Sequence, residues 1–166
     1  MLLTLSTSNF RSFKEEAVFS MEATKLKNLK DTNVFSVGNI ELLSSAVVFG
    51  ANASGKSNFI KAFEKMKNII KNNSDLQKIK HYPHESFLLD LSTKESSTKF
   101  EIEVIIDKIK YKYGFIVSKN AKIEKEWLHS KNLKAYAKEV ELFSRENSKI
   151  ELHQDFKDSK ILIEKT

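Results

Sequence analysis

Hydrophobic and polar positions change their spacing along the chain, and the first third predicts strands separated by one exposed stretch. Residues 2–7 are short and apolar, and residues 15–23 alternate apolar and polar side chains, so both predict strands. Residues 44–49 ("SSAVVF") are nearly all apolar, which is typical of a buried parallel strand. The lysine- and asparagine-rich residues 24–39 predict an exposed connection.

The period becomes helical after Ser57. Apolar side chains then recur three or four positions apart with lysines between them, at Ile60, Phe63, Met66, Ile69 and Ile70. This spacing predicts an amphipathic helix of about 14 residues, a usual length in globular proteins. The polar stretch "KNNSD" at residues 71–75 is expected to end it.

The second half alternates with a period of two, which predicts an antiparallel meander. Residues 99–106 and 108–117 both alternate, and Asp107 and Lys108 lie at the junction, so we expect a hairpin there. Residues 121–130 and 138–154 continue the pattern. A strand–helix unit followed by antiparallel strands predicts an α/β protein.

Length and composition narrow the class of protein. A chain of 166 residues with 40% hydrophobic and 30% charged residues suits one globular domain. No apolar run approaches the roughly 20 residues that a membrane span needs. Cysteine is absent, which excludes disulfides and thiolate chemistry. We therefore expect a cytoplasmic protein with no membrane partner.

The net charge of +6 raises the question of a nucleic-acid partner. Only Arg11 and Arg145 are arginines, and the lysines are scattered among glutamates, as in "KIEKEWLHSKNLKAYAKEVE". Dispersed charge of this kind is more often a solvated face than a binding patch. DNA remains one expected class of partner, but the composition does not require it.

Residues 50–57 carry the most specific chemistry of the chain, the pattern G-x-x-x-x-G-K-[ST]. Gly50 and Gly55 allow a backbone that turns successive N–H groups towards a polyanion. The helix that follows adds its positive N-terminal end. Lys56 can reach phosphate oxygens, and the Ser57 hydroxyl can ligate Mg²⁺. The predicted strand before the loop and the helix after it are the context that the motif requires.

The segments "NFRSFKEE" and "VVFGANASGKSNFIKAF" resemble the N-terminus of ABC-type ATPase heads. That group contains SMC proteins, double-strand-break-repair ATPases, OLD-family nucleases and phage-defence ATPases. The later stretches "TKFEIEVIID", "YKYGFIV" and "IEKEWLHS" resemble the antiparallel subdomain of allied bacterial AAA-type ATPases. The resemblance covers nearly the whole chain.

The resemblance implies which residues bind ATP and Mg²⁺. The triphosphate would be held by Gly50, Ala51, Asn52, Ala53, Ser54, Gly55, Lys56, Ser57 and Asn58, with Ser57 on the metal. Arg11, in "NFRSF", matches a basic position that lies near the phosphates in related heads. A surface arginine at a strand end is the alternative reading of Arg11.

Two parts of a complete head have no recognisable match, the hydrophobic strand ending in Asp-Glu (Walker B) and the ABC signature. In such heads the Asp holds Mg²⁺ through water and the Glu polarises the attacking water. Glu164 in "ILIEKT" lacks the aspartate, and Asp90 in "SFLLDLS" stands where the family begins its antiparallel subdomain. Catalytic residues are therefore unassigned, and whether the chain itself is an enzyme stays open.

The expected fold is the N-terminal portion of an ABC-ATPase-like P-loop NTPase head with an antiparallel β subdomain. Residues 1–75 would form the P-loop strand–helix part and residues 76–166 the β subdomain, together one incomplete head. The chain would then be the product of a truncated gene, the product of one half of a split gene, or an excised piece of a longer protein. Expected partners are the C-terminal half or a second head, and a nuclease or other effector.

The main hypothesis is an ATPase that hydrolyses ATP once its head is completed, in DNA-linked or phage-defence work. Other hypotheses remain open. The chain could be a non-hydrolysing remnant or interaction module, or a basic nucleic-acid-binding β domain. Tyr111, Tyr113 and Phe115 share one strand face and could stack bases, but a packed sheet face fits the period-two pattern better. His81 and His84 could begin a zinc site, although they are better interpreted as polar residues of a loop.

Overall fold

The computed structural model describes residues 1–25, 30–72, 84–147 and 149–154, and these contain nine strands and three helices. The strands are β1 (Leu2–Ser8), β2 (Ala17–Ser20), β3 (Val34–Val37), β4 (Ile40–Leu43), β5 (Thr98–Ile106), β6 (Ile109–Val117), β7 (Ile123–Asn132), β8 (Val140–Glu146) and β9 (Lys149–Leu152). The helices are α1 (Lys30–Asn33), α2 (Lys56–Asn72) and α3 (Leu91–Lys94).

Seven strands form one antiparallel sheet in the order β2-β1-β5-β6-β7-β8-β9. The predicted alternating segments are thus confirmed as strands. Asp107 and Lys108 have φ angles of 50° and 62°, the left-handed backbone that a two-residue hairpin turn requires. Because β1 pairs with β5, the sheet runs across the predicted division between residues 75 and 76.

Helix α2 packs on one face of this sheet and closes the main core. Its 17 residues exceed the predicted length of about 14. Met66 and Ile69 are buried as expected, and full burial of such a side chain stabilises the fold by roughly 1.5–3 kcal/mol. Ile60, Phe63 and Ile70 were expected on the same buried face but remain exposed. The sheet contributes the other members of this core, which are Leu5, Phe10, Phe100, Phe115 and Val117.

A second, smaller core corrects the prediction of an exposed connection over residues 24–39. Within the described part of that stretch, α1 leads into β3, which pairs with β4 in a separate two-stranded sheet. Gly38 makes the tight turn at φ +62°, and a Cβ there would lie 2.9 Å from Leu133 Cβ. The hairpin covers a cluster of buried side chains, Leu3, Leu42, Ile105 and Leu133. The prediction gave more weight to the lysines of residues 24–30 than to the few apolar residues of β3 and β4.

The predicted buried parallel strand at residues 44–49 is wrong. These residues have no regular secondary structure, and Val47 and Phe49 are 72% and 88% exposed. A strand exists only where a neighbouring strand supplies hydrogen bonds. All ladders among the described residues are antiparallel and none includes this segment. An apolar run alone therefore did not make a strand here.

Trp127 packs on one face of the sheet. It lies on the sheet face away from α2, and its indole N–H donates a hydrogen bond to Glu101 Oε2 at 2.9 Å. Lys99 Nζ lies 6.0 Å from the centre of the indole ring. Within the ranges described, no helix is long and apolar enough to cross a membrane.

Candidate functional site

The glycine-rich loop at residues 50–55 joins the extended segment 44–49 to α2. Gly55 has a φ angle of +95° and Ala53 one of +64°, so the loop turns through the left-handed region twice. Ser54 N donates to the Ala51 carbonyl at 3.2 Å. A Cβ at Gly50 would lie 2.6 Å from Ser54 Oγ. Gly55 is thus required by the backbone path, whereas a side chain at Gly50 would press on the Ser54 hydroxyl.

Lys56, the first residue of α2, lies across this loop. Its Nζ donates to the Gly50 carbonyl at 2.8 Å and to the Ala51 carbonyl at 2.6 Å. These contacts hold an ammonium group beside the backbone that a phosphate would approach. The positive charge of Lys56 therefore lies at the loop, and its contacts within the described residues are two neutral carbonyls, which an anion can displace.

The first turn of α2 adds the positive end of the helix to the same place. The first N–H groups of a helix have no partner within the helix, and the helix end carries a partial positive charge. Asn58 N and Phe59 N donate to the Gly55 carbonyl at 2.9 and 3.4 Å, so loop and helix are continuous. Ser57 is exposed in this turn. Its hydroxyl is accessible to a metal ion bound beside the loop.

Residues 9–13, which we name the platform turn, pack against the C-terminal end of the loop. Asn58 Nδ2 donates to Ser12 Oγ at 2.9 Å. A Cβ on Gly55 would lie 2.8 Å from Ser12 Oγ and 3.6 Å from the Phe13 ring. The rings of Phe13 and Phe59 meet edge to face at 5.3 Å. Ser12 and Phe13 stand in the same "NFRSF" motif as Arg11, but no pattern in that motif singles them out.

Arg11 belongs to the platform turn, yet its side chain is engaged elsewhere. Its guanidinium forms an ion pair with Glu85, and its backbone N donates to the Glu85 carbonyl at 2.7 Å. Lys65 of α2 reaches the same carboxylate at 3.5 Å. Burial lowers the pKa of Lys65, and the negative charge of Glu85 opposes that shift. A role for Arg11 at a phosphate stays a prediction.

Asp90 is a structural cap. Its carboxylate accepts hydrogen bonds from Ser92 N at 2.8 Å and Ser92 Oγ at 2.7 Å, at the start of α3. Lys14 Nζ lies 2.8 Å from its other oxygen. The hydrogen bond from Lys14, the largest cause, and those from Ser92 hold the pKa of Asp90 well below its ordinary value. These contacts account for the residue without a metal.

The other candidates singled out in the sequence also have structural partners. Phe115 is fully buried, and Tyr113 donates its hydroxyl to Glu126 Oε1 at 2.5 Å, so both belong to a packed face. The described ranges hold no cluster of three or more potential metal ligands. His81 and Glu164 lie outside the described residues. The zinc and base-stacking readings therefore gain no support.

Comparison with known proteins identifies one family. A family model described as "AAA domain, putative AbiEii toxin, Type IV TA system" matches residues 45–162. The match begins just before the glycine-rich loop, runs through α2 and continues past β9. A search of curated proteins found no relative of the chain.

Proposed function

Since the chain belongs to the AAA-domain family of the AbiEii-toxin type, and is thus a P-loop, ATPase-type nucleotide-binding domain, we propose that residues 50–58 bind ATP with Mg²⁺. The observation that carries the proposal is the position of Lys56. Its ammonium lies across the glycine-rich loop, bonded to the carbonyls of Gly50 and Ala51, where the loop meets the N-terminus of α2.

Each part of the loop would have its own task. Backbone N–H groups of residues 51–55 would bind the phosphate oxygens, and Lys56 would exchange its two carbonyl contacts for the β- and γ-phosphates. The Ser57 hydroxyl would supply one ligand to Mg²⁺, a metal that usually keeps several waters and binds through substrate phosphates. When bound, the ion neutralises charge on the phosphates. The residues present fit MgATP in donor type and charge.

Hydrolysis, we propose, requires a completed ATPase head of the ABC type. A large apolar face beside the loop supports this. Val47 and Phe49, just before the loop, are 72% and 88% exposed, and Ile60 and Phe63 on α2 are also exposed. A cavity of about 450 Å³ opens between α2 and the β1–β2 edge of the sheet. Its walls are almost entirely apolar and include Leu2, Leu5, Phe19, Val48, Phe59, Ile60 and Phe63.

Exposed apolar surface of this extent marks an interaction site. We propose that the C-terminal half of a head covers it, pairs with residues 44–49 and brings the Asp-Glu strand to the loop. A second head would then supply the signature segment across the nucleotide. This arrangement would explain how an apolar segment can lead directly into a nucleotide loop and still be exposed in this chain.

The biological role is proposed from the resemblance to SMC, repair and OLD-family ATPases and from the family description, which names a toxin of type IV toxin–antitoxin systems. We propose work in DNA-linked processes or phage defence, in the cytoplasm, with a nuclease or other effector as partner. A sheet that binds nucleic acid directly is less well supported. Lys99, Lys110 and Lys112 are ion-paired with glutamates on the exposed face.

The first test is equilibrium binding of MgATP to the purified chain, with ATP turnover measured on the same samples. The variant is Lys56→Ala, and the matched control is Lys67→Ala, which removes an exposed lysine from the same helix. We expect wild type and control to bind alike, and Lys56→Ala to lose at least about tenfold in affinity, as charged hydrogen bonds are lost.

The outcomes separate the candidate functions. Binding without turnover supports a domain that needs its other part, and addition of that part should then start hydrolysis. Turnover that depends on Lys56 would show that this chain holds the acidic residues itself and would overturn the need for completion. Failure of the folded wild-type chain to bind MgATP would overturn the proposed function.

A further inference from the structure

We propose that Ser12 is a positioning residue for the phosphate loop, acting through its hydrogen bond with Asn58. The inference deepens the proposed function and rests on it. Residues 50–54 are exposed, so the sheet must be linked to the loop at its ends. The platform turn makes this link at the C-terminal end, where the loop becomes α2.

The platform turn is firmly attached to the sheet, and Asn9 provides most of the attachment. Asn9 is only 6% exposed, and its amide N–H groups donate to three carbonyls at 2.9 to 3.2 Å, those of Thr93, Ser96 and Ser97. Its side-chain oxygen accepts from Phe87 N at 3.0 Å, and its carbonyl accepts from Thr98 Oγ1 at 2.9 Å. A buried amide with all these partners holds its backbone in one place.

The remainder of the turn extends this rigidity to Ser12. Phe10 and Phe13 exchange two backbone hydrogen bonds, at 2.9 and 2.8 Å, and the Phe10 side chain is buried in the main core. Arg11 N is bonded to the Glu85 carbonyl. Ser12 is therefore presented from a turn whose neighbours on both sides are fixed, although its own side chain is exposed.

Two residues of the platform turn, Ser12 and Phe13, contact the end of the loop and the start of α2. Ser12 Oγ accepts from Asn58 Nδ2 and lies against Gly55, while Phe13 packs on Phe59 one residue further along. Asn58 is in the first turn of α2. The hydrogen bond therefore fixes, relative to the sheet, the helix end that would face the phosphates.

Removal of this bond should leave the fold intact and loosen the loop. Both side chains lie at the surface, whereas the buried contacts of α2 come from Ala62, Met66 and Ile69. The expected consequence is weaker binding of the phosphates, because the donors would have to be ordered when the ligand binds. Phosphate-dependent affinity, rather than stability, is the quantity that should change.

A double-mutant cycle on the full chain tests this, with MgATP as the probe. Ser12→Ala and Asn58→Ala should each weaken binding by about three- to tenfold, the range of one hydrogen bond. The double variant should be no weaker than Asn58→Ala alone, because the bond to Ser12 is already lost in that variant. Ser12→Thr keeps the hydroxyl and should bind like wild type. Asn68→Ala, which removes an exposed amide from the same helix, is the control.

Hydrogen exchange of the Asn58 and Phe59 amides, which donate to the Gly55 carbonyl where the loop meets α2, provides a second readout without nucleotide. Ser12→Ala should speed their exchange and leave that of the sheet unchanged. Unaltered exchange of these two amides, single-variant affinities equal to wild type, or effects that multiply in the double variant would each overturn the positioning role. If wild type binds no MgATP, the proposed function fails, but the exchange experiment still decides whether Ser12 orders the loop.

Discussion

The indole of Trp127 in β7 lies over Gly114 in β6, on the sheet face opposite α2. A Cβ built on Gly114 would meet Trp127 Cζ2 at 2.4 Å and Cε2 at 2.6 Å. The two residues are direct partners in the ladder, and Glu101 stands opposite Gly114 on the other side. Glycine is therefore needed here to admit the ring that reaches Glu101.

Gly114→Ala should destabilise the chain by about 1–3 kcal/mol, because the methyl group overpacks a fixed ring. Urea unfolding measures the change. The same substitution in a Trp127→Leu background should cost clearly less, since the ring is then gone. Equal costs in the two backgrounds would show that the ring is not what excludes the methyl group.

Gly55→Ala should weaken MgATP binding by at least about tenfold, because φ +95° is strained for any side chain and the methyl group would press on Ser12. Ala53→Gly is the matched control in the same loop. Ala53 already has a left-handed φ angle of +64°, so glycine there should relieve strain and leave affinity near that of wild type. Isothermal titration of both variants checks the contrast; similar losses in both would contradict it.

Tyr113 should make stability fall at alkaline pH. Burial, the largest cause, and the neighbouring Glu126 carboxylate raise the pKa of Tyr113 above its ordinary value. The neutral phenol is thus favoured in the folded chain, and its contribution is complete below the unfolded pKa of about 10. Above that pH the unfolded chain loses the proton more readily, so the contribution is lost as pH rises.

The measurement is the difference in unfolding free energy between wild type and Tyr113→Phe. At neutral pH the variant should be less stable by about 1.5–3 kcal/mol, the range for a hydrogen bond to a charged group. The difference should shrink as pH rises above about 10. A difference that stays constant across that range would argue against a neutral, hydrogen-bonded Tyr113.

Phe49→Ser tests the apolar face beside the loop. Because Phe49 is 88% exposed, the substitution should change the unfolding free energy by no more than about 0.5 kcal/mol. Phe115→Ala, at a fully buried position, should cost about 3–5 kcal/mol and serves as the contrast. If the face is covered by the other part of a head, Phe49→Ser should weaken that association, as measured by sedimentation of the mixture.

Local features were predictable because their causes lie within a few residues. The hairpin at Asp107 and Lys108 follows from alternating runs that meet at a two-residue turn, and β1 follows from a short apolar run. The pattern from Gly50 to Ser57 likewise predicts loop chemistry by itself, since glycine, lysine and serine act there through properties of the residue type.

Burial and strand pairing depended on which other segment packs against a residue in the folded chain. Helical spacing marked five apolar positions on α2, but the sheet covers only one side, so Met66 is buried and Ile60 is exposed. The short β3–β4 hairpin is stabilised by packing against Leu3 and Ile105 of the main sheet. Residues 44–49 have strand composition, yet strand pairing is a property of two segments and no described strand is beside them.

The sequence by itself determined the glycine-rich loop, the helix that follows it and the alternation of the later strands, because those signals are local. Only the tertiary structure decided that Arg11 pairs with Glu85 and that Ser12 meets Asn58, 46 positions along the chain. Such pairs form when folding brings separate segments together, and no period or motif in either segment specifies the partner. The chemistry of the loop is thus specified by its own residues, whereas the contacts that position it depend on the tertiary structure.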